Sequence, residues 1–313
     1  MTSPAERAVA HVRGLFPEAG PPGLFDRAVI TVSFHPDRLV AGGRTVAECL
    51  VAEGVYRSQF ETGISNGGLD GVIGGRRTVW EQRMFGGAYV SPSGRPIYGG
   101  LNLAGHPDGA SPRFGSCHLV LRPEVSQRAT FSHGDSVTEP SVVGTAVSFG
   151  AVWAALLDEV SRTGRALNVA AASAGDWVRA LAVPRRAPGR ALDDYVEAQV
   201  HGGVTLGADV TAVVADPSFR GTRYEELLGS LAPALDWSPG FRLPATGFPA
   251  SLRGPDVPPL ALEIADRYGT PVLDAEVIGR AAREPGTTPE RLQLIKYLWH
   301  ILVLNGAPID SPS

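Results

Sequence analysis

Tyr195-Val196-Glu197-Ala198-Gln199-Val200-His201-Gly202 alternates polar and apolar residues, and the two faces of that stretch decide how the rest of the chain is read. In a β-strand successive side chains point to opposite faces, so Tyr195, Glu197, Gln199 and His201 share one face and Val196, Ala198 and Val200 the other. The apolar face belongs to a core. A solvated strand face seldom needs a tyrosine, a carboxylate, an amide and an imidazole in register, and this set suits the floor of a polar cleft. Glutamate is seldom buried without a partner or a task, so Glu197 is the leading candidate for a functional group.

Moving outward, other stretches carry the same two-residue period. Ala28 to His35 places Ile30, Val32 and Phe34 on one face and Thr31, Ser33 and His35 on the other, until Pro36-Asp37 stops it. Ser116 to Leu121 reads as a strand, and Ala129 to Ser136 alternates and is expected to pair with it. Val210 to Ala215 is apolar and β-prone, which predicts a hairpin with Tyr195–Val200. Helices are expected at 3 to 15, opened by Ser3-Pro4, and at 45 to 53, where Thr45 and Glu48 have capping-box spacing and Gly54 closes the turn. Residues 142 to 183 read as helical layers.

Between these elements, Val55 to Gly68 gathers Arg57, Gln59, Glu61, Thr62, Ser65 and Asn66 ahead of a glycine pair, a composition suited to a loop that approaches a ligand. Residues 70 to 115 are rich in Gly and Pro, with Trp80, Phe85, Tyr89 and Tyr98 as anchors and no dominant regular element; such a stretch often covers a site. Prolines recur from Pro233 to Pro259, and three helical segments follow. The expected organisation is an N-terminal helix within 1–27, an α+β core over 28–232, a connection over 233–259 and a helical C-terminal unit over 260–313.

At 313 residues, 43% hydrophobic and 19% charged, the chain can bury a sizeable core. A net charge of −4 gives no global field for nucleic acid or membranes. Lys296 is the one lysine, so the arginine count reflects a coding bias more than phosphate binding. Cys49 and Cys117 lack metal-ligand spacing and read as small buried hydrophobes. No stretch reaches the ~18 apolar residues of a membrane helix, and the first residues do not form a signal peptide. A cytoplasmic protein without membrane partners is the default, export requiring a route that uses no signal peptide.

The order of short strands with polar inner faces, one early helix and a late glutamate strand resembles the ADP-ribosyltransferase superfamily. That resemblance implies two small antiparallel sheets split around a cleft for NAD, consumed as substrate in a glycosyl transfer. Carried over position by position, His35, or Arg38 just after it, is similar to the nicotinamide-side residue of the first strand. Thr130, Ser132 and Ser136 look like the polar middle strand, and Glu197 looks like the catalytic glutamate. Tyr195 stands two residues before that glutamate, where the toxin-like branch has Glu or Gln; the amide, Gln199, stands two residues after, and no Ser-Thr-Ser triplet occurs. The phrases Arg-Phe-Gly-Ser-Cys-His (113 to 118) and Thr-Phe-Ser-His-Gly-Asp-Ser (130 to 136) also resemble a bacterial family of unknown function.

Cleaving the nicotinamide glycosidic bond develops positive charge on the ribose, which a carboxylate near its 2-hydroxyl stabilises. The expectation is an NAD-dependent ADP-ribosyltransferase or NAD glycohydrolase with Glu197, His35, Gln199 and His201 at the reacting end. Arg38, Arg57, Gln59, Asn66, Arg113, Ser132 and His133 would bind the rest of NAD, arginine in bidentate fashion. The acceptor is a protein, a nucleic acid or a small molecule. A second reading converges His118, His133, Asp135 and His201 on a divalent metal with Glu197 as general base for hydrolysis. A third is a non-enzymatic module whose cleft holds a nucleotide or peptide.

Overall fold

A computed structural model describes residues 2–63, 71–183 and 190–309. Its centre is a mixed sheet built from β1 (Ile30–Phe34), β2 (Ile97–Leu101), β3 (Cys117–Leu121), β4 (Ala129–His133), β5 (Val143–Thr145), β6 (Val196–Val200), β7 (Val210–Ala215) and β8 (Ala234–Trp237). The spatial order is β8-β7-β3-β1-β2-β6-β4-β5. Every pairing is antiparallel except β7 with β8. Around the sheet lie α1 (Pro4–Leu15), α2 (Val46–Glu53), α3 (Arg76–Met84), α4 (Gly150–Thr163), α5 (Ala174–Ala180), α6 (Arg223–Gly229), α7 (Val257–Tyr268), α8 (Ala275–Ala282) and α9 (Pro289–Asn305). The architecture is α+β. Among the described residues no helix is long and apolar enough to cross a membrane.

The locally encoded helices form where their caps predict. Ser3 and Glu6, and Thr45 and Glu48, make reciprocal capping boxes, and Gly54 closes α2 in the left-handed conformation. Strand pairing departs from expectation. β3 and β4 are not partners: three strands lie between them. β6 does not form a hairpin with β7 either; it sits between β2 and β4, while β7 lies between β3 and β8. The stretch from 70 to 115, expected to be irregular, supplies α3 and the central strand β2. The proline-rich segment after 233 supplies the parallel edge strand β8.

Nor are there two separate sheets. The pairing is continuous, but its seam between β1 and β2 holds only two register pairs, Ile30–Leu101 and Thr31–Gly100. Beyond Thr31, β1 continues against β3 alone, and Ile97 to Gly99 of β2 pair with β6 alone. The sheet therefore forks. Gly99 and Gly100 make the seam possible: a Cβ on Gly99 would stand 2.5 Å from the Thr31 carbonyl oxygen, and one on Gly100 would stand 2.6 Å from the Ala110 Cβ.

One sheet face carries Ile30, Val32, Phe34, Leu101, Leu119, Phe131, Val196 and Ala198, all buried in the main core. The helices α7 to α9 belong to that same core through Ile264, Ile278, Leu298 and Ile301. The opposite face is polar along β6 and β4, and a smaller cluster of Ala8, Val12, Trp80, Met84, Phe85, Tyr89 and Val143 lies on that side. Two layers on one forked sheet thus leave an opening at the fork.

Candidate functional site

A cleft of about 300 Å³ occupies the fork, within the range of small-molecule sites. Ser33, Phe34 and His35 line one bank, and Ile97, Tyr98 and Gly99 the other. Tyr195, Glu197, Asp135 and Arg77 line it too, and Val46, Leu50, Tyr56 and Arg57 give an apolar wall with a charged rim. Period-two alternation explains the floor: Glu197 pairs in register with Gly100 on one side and Ser132 on the other, so the three share a face, and the missing side chain of Gly100 lets Ala110 and Ser111 close in beside it.

Glu197 is 4% exposed. Its Oε1 accepts from Gln199 Nε2 at 3.0 Å, and its Oε2 accepts from the Ser136 amide at 3.3 Å and the Ser136 hydroxyl at 3.1 Å. These donors are neutral. Burial, then the neighbouring Asp135, push its pKa up to about 7, against Arg77, Gln199 and the Ser136 amide. Arg77 of α3 donates to the Ser136 hydroxyl at 3.0 Å and stacks 3.9 Å over the Tyr98 ring. The Tyr98 hydroxyl donates at 2.7 Å to Glu81, which is ion-paired with Arg95.

His35 lines the cleft at the end of β1. Burial first, then Arg38 and Lys296, lower its pKa to about 3, so the imidazole is neutral at physiological pH. Its Nδ1 lies 3.3 Å from the Ser116 hydroxyl, and the Trp299 ring of α9 packs edge-on at 5.1 Å. The C-terminal helices thereby buttress one bank of the cleft; the ion pair between Asp37 and Arg283 of the α8 end strengthens the same junction. Arg38, Arg57 and Gln59 line the cleft as expected, Arg57 held between Glu53 at 2.6 Å and Glu61 at 3.3 Å.

Other expected site residues lie elsewhere. Gln199 and Ser132 are fully buried beneath the cleft, where Gln199 Nε2 donates to the Ser132 hydroxyl at 3.1 Å and Gln199 Oε1 accepts from the Thr130 hydroxyl at 2.8 Å; they hold Glu197 and do not reach the opening. His201 is sealed between Tyr89, Thr130 and the edge of Phe85, with its pKa lowered to about 3 by burial and then Arg128. His133 follows Ser132 by one residue, so the alternation turns it to the other sheet face, where it meets Glu159 of α4 at 2.9 Å. Arg113 pairs with Asp193 and lines a small crevice beside α8 and α9 that also takes in Arg38 and Lys296. Asn66 lies outside the described residues.

The metal set does not assemble. His118, His133 and His201 have separate surroundings, and no group of three or more His, Cys, Asp or Glu capable of holding a metal occurs among the described residues. Asp135 caps a turn instead: its Oδ1 accepts from the Val137 amide at 2.8 Å at the start of 136–138. It also faces the cleft. Arg77 and Tyr98 went unassigned because α3 reads Arg-Arg-Thr-Val-Trp-Glu-Gln-Arg-Met, with no apolar stripe. The Ile97-Tyr98 pair ahead of two glycines was the available signal for β2.

A family model described as "Protein of unknown function (DUF3626)" matches residues 29–304, which takes in the whole fork and the C-terminal helices. The gene 2 protein of Mycobacterium phage D29 is 34% identical over 115 residues, covering 36% of this chain and 37% of that protein. The gene 2 protein of Mycobacterium phage L5 is 30% identical over 175 residues, covering 53% of this chain and 59% of that protein. The chain thus spans less than two thirds of either phage relative.

Proposed function

The chain belongs to the DUF3626 family, and we propose that it cleaves the nicotinamide–ribose bond of NAD, as an ADP-ribosyltransferase or an NAD glycohydrolase, with Glu197 beside the reacting ribose. One observation carries this reading. A sheet forked at a two-residue seam opens a cleft whose floor holds a buried glutamate bound only by neutral donors. The sheet is continuous and not split as the ADP-ribosyltransferase resemblance implies, but its fork supplies a comparable cleft, lined by Glu197 of a late strand and by His35 after the first.

In the reaction the C1′–N bond breaks, nicotinamide departs neutral with the bonding electron pair, and positive charge grows on the ribose. An anionic Glu197 at the 2-hydroxyl stabilises that charge in a site from which water is largely excluded. Neutral His35 can hydrogen-bond the nicotinamide amide, and the wall of Val46, Leu50 and Tyr56 suits an aromatic ring. Arg38 and Arg57, on the same cleft, suit the pyrophosphate.

Incubation with NAD and measurement of released nicotinamide tests this. Wild-type protein is expected to release it, and Glu197→Gln to lower kcat by about 10²–10³-fold with NAD still bound. Protein that neither binds nor consumes NAD at high enzyme concentration, with protein, nucleic-acid and small-molecule acceptors supplied, overturns the proposal.

A further inference from the structure

Glu197 is not the sole acid on the cleft. Asp135, 5% exposed, lines it as well, and so does Tyr195, 4% exposed. The capping bond from the Val137 amide to Oδ1, and the Thr138 hydroxyl bonded to the Asp135 carbonyl at 2.8 Å, fix the Asp135 side chain. Its Oδ2 is left over. Arg113 is ion-paired with it at 3.5 Å without a hydrogen bond, and the same guanidinium also pairs with Asp193. Among the described residues neither Asp135 Oδ2 nor the Tyr195 hydroxyl makes a hydrogen bond of good geometry, although Asp135 stands close enough to the hydroxyl to help burial raise its pKa. Buried polar atoms left in this state call for an explanation. Here two of them come from different elements, a turn after β4 and the residue before β6, and both residues line the cavity that holds Glu197.

We infer that Asp135 is the general base of the transfer step and that Tyr195 helps hold the acceptor whose O–H or N–H group Asp135 deprotonates. The inference rests on the NAD reading above. The two carboxylates differ in their ties, which is how one site assigns two roles to the same functional group. Both Glu197 oxygens are engaged by donors, orienting it toward the ribose. Asp135 keeps one oxygen for an incoming proton. As the acceptor's nucleophilic atom bonds to C1′, its proton passes to Asp135 Oδ2, the C1′–N bond breaks, and nicotinamide leaves neutral with the electron pair. Asp135 then releases the proton to solvent. The step requires no oxidant or reductant, and it selects neutral nucleophiles that must lose a proton: an alcohol, an amine, a nucleobase or water.

The test uses the full chain, NAD, water as nucleophile, and azide as a nucleophile with no proton to lose. Asp135→Asn retains an oxygen for the cap, and a thermal melt checks its fold. It is expected to lower nicotinamide release by about 10²–10⁴-fold while NAD binding stays within about threefold. Azide is expected to restore the rate, with ADP-ribosyl azide as product, in Asp135→Asn but not in Glu197→Gln. Release within about tenfold of wild type, or a loss that azide does not repair although NAD binds, overturns the role of Asp135 and leaves that of Glu197 standing. Wild-type protein that neither binds NAD nor releases nicotinamide, with either nucleophile or with the protein, nucleic-acid and small-molecule acceptors above, brings down the NAD reading itself.

Discussion

Glu81 and Glu197 are buried almost equally, at 1% and 4% exposure, yet their surroundings differ in kind. Glu81 sits against the Arg95 guanidinium and accepts from the Tyr98 hydroxyl, sealed under α3. Glu197 has only an amide side chain, a hydroxyl and a backbone amide as donors, with a cavity in front of it. Burial raises the pKa of both. A buried carboxylate with its own guanidinium is a finished structural joint. One held by neutral donors at an opening is stabilised too little to stay ionised at low pH and is open to a ligand's charge. Burial alone therefore does not mark the functional acid; the partners do.

The same substitution at both positions exposes the contrast most strongly. Glu81→Gln leaves Arg95 buried without a counter-charge and is expected to lower stability by about 3–5 kcal/mol in urea unfolding at neutral pH. Glu197→Gln keeps the side chain's size and removes a charge that burial disfavours, at the cost of one acceptor, and is expected to cost far less stability than Glu81→Gln. If the two variants unfold at the same urea concentration, partner chemistry does not separate the two carboxylates.

That separation was legible in sequence for only one of them. Alternation around Glu197 placed it on a polar face, and the flanking valines and alanine made that face's inward position a local matter. The same local logic located α1 and α2 through their capping boxes and β1 through its period. Glu81 and its partners sit where such signals fail. The helix carrying Glu81 has no apolar stripe, and β2 contains Gly99-Gly100, which read as a loop and are instead required by the 2.5 Å approach of the Thr31 carbonyl to a would-be Cβ. Strand partners were also misassigned, because pairing across a sheet depends on contacts far apart in the chain; a hairpin is only the nearest option. His133 and His201 show a finer limit. Their residue type suggests chemistry, but a one-residue step in parity sends His133 to the far face, and Tyr89 with Phe85 closes off His201.

A smaller effect tests the charge state of Glu197. Its folded-state pKa of about 7 lies above the ordinary 4.5 of the unfolded chain. Between those values the folded protein holds a proton that the unfolded chain has released, so this group's contribution to stability falls as pH rises from about 4.5 to about 7 and stays at its lower level above that. Unfolding of wild type and Glu197→Gln at pH 5 and pH 8 is expected to show the variant gaining on wild type by on the order of 1–3 kcal/mol at the higher pH. Catalysis runs the other way: an ionised Glu197 is needed, so kcat/KM for NAD is expected to rise through about pH 7. A flat profile across that range would sink the assignment of Glu197 as the anionic group.

The smallest expected effect is the most specific. The Ser136 hydroxyl donates to Glu197 Oε2 at 3.1 Å and accepts from Arg77 at 3.0 Å, so it links the Arg77 guanidinium to the carboxylate. Donors to a carboxylate favour its ionised form. Ser136→Ala removes one of them and loosens Arg77, while the Ser136 backbone amide still donates at 3.3 Å. The rising limb of the kcat/KM profile is then expected to move to higher pH by up to about one unit, with the plateau rate at high pH unchanged. Such a shift at constant plateau is what a positioning hydroxyl produces. A uniform drop at all pH values would instead mean that Ser136 touches substrate, and it would place the serine of the turn after β4 in the chemistry itself.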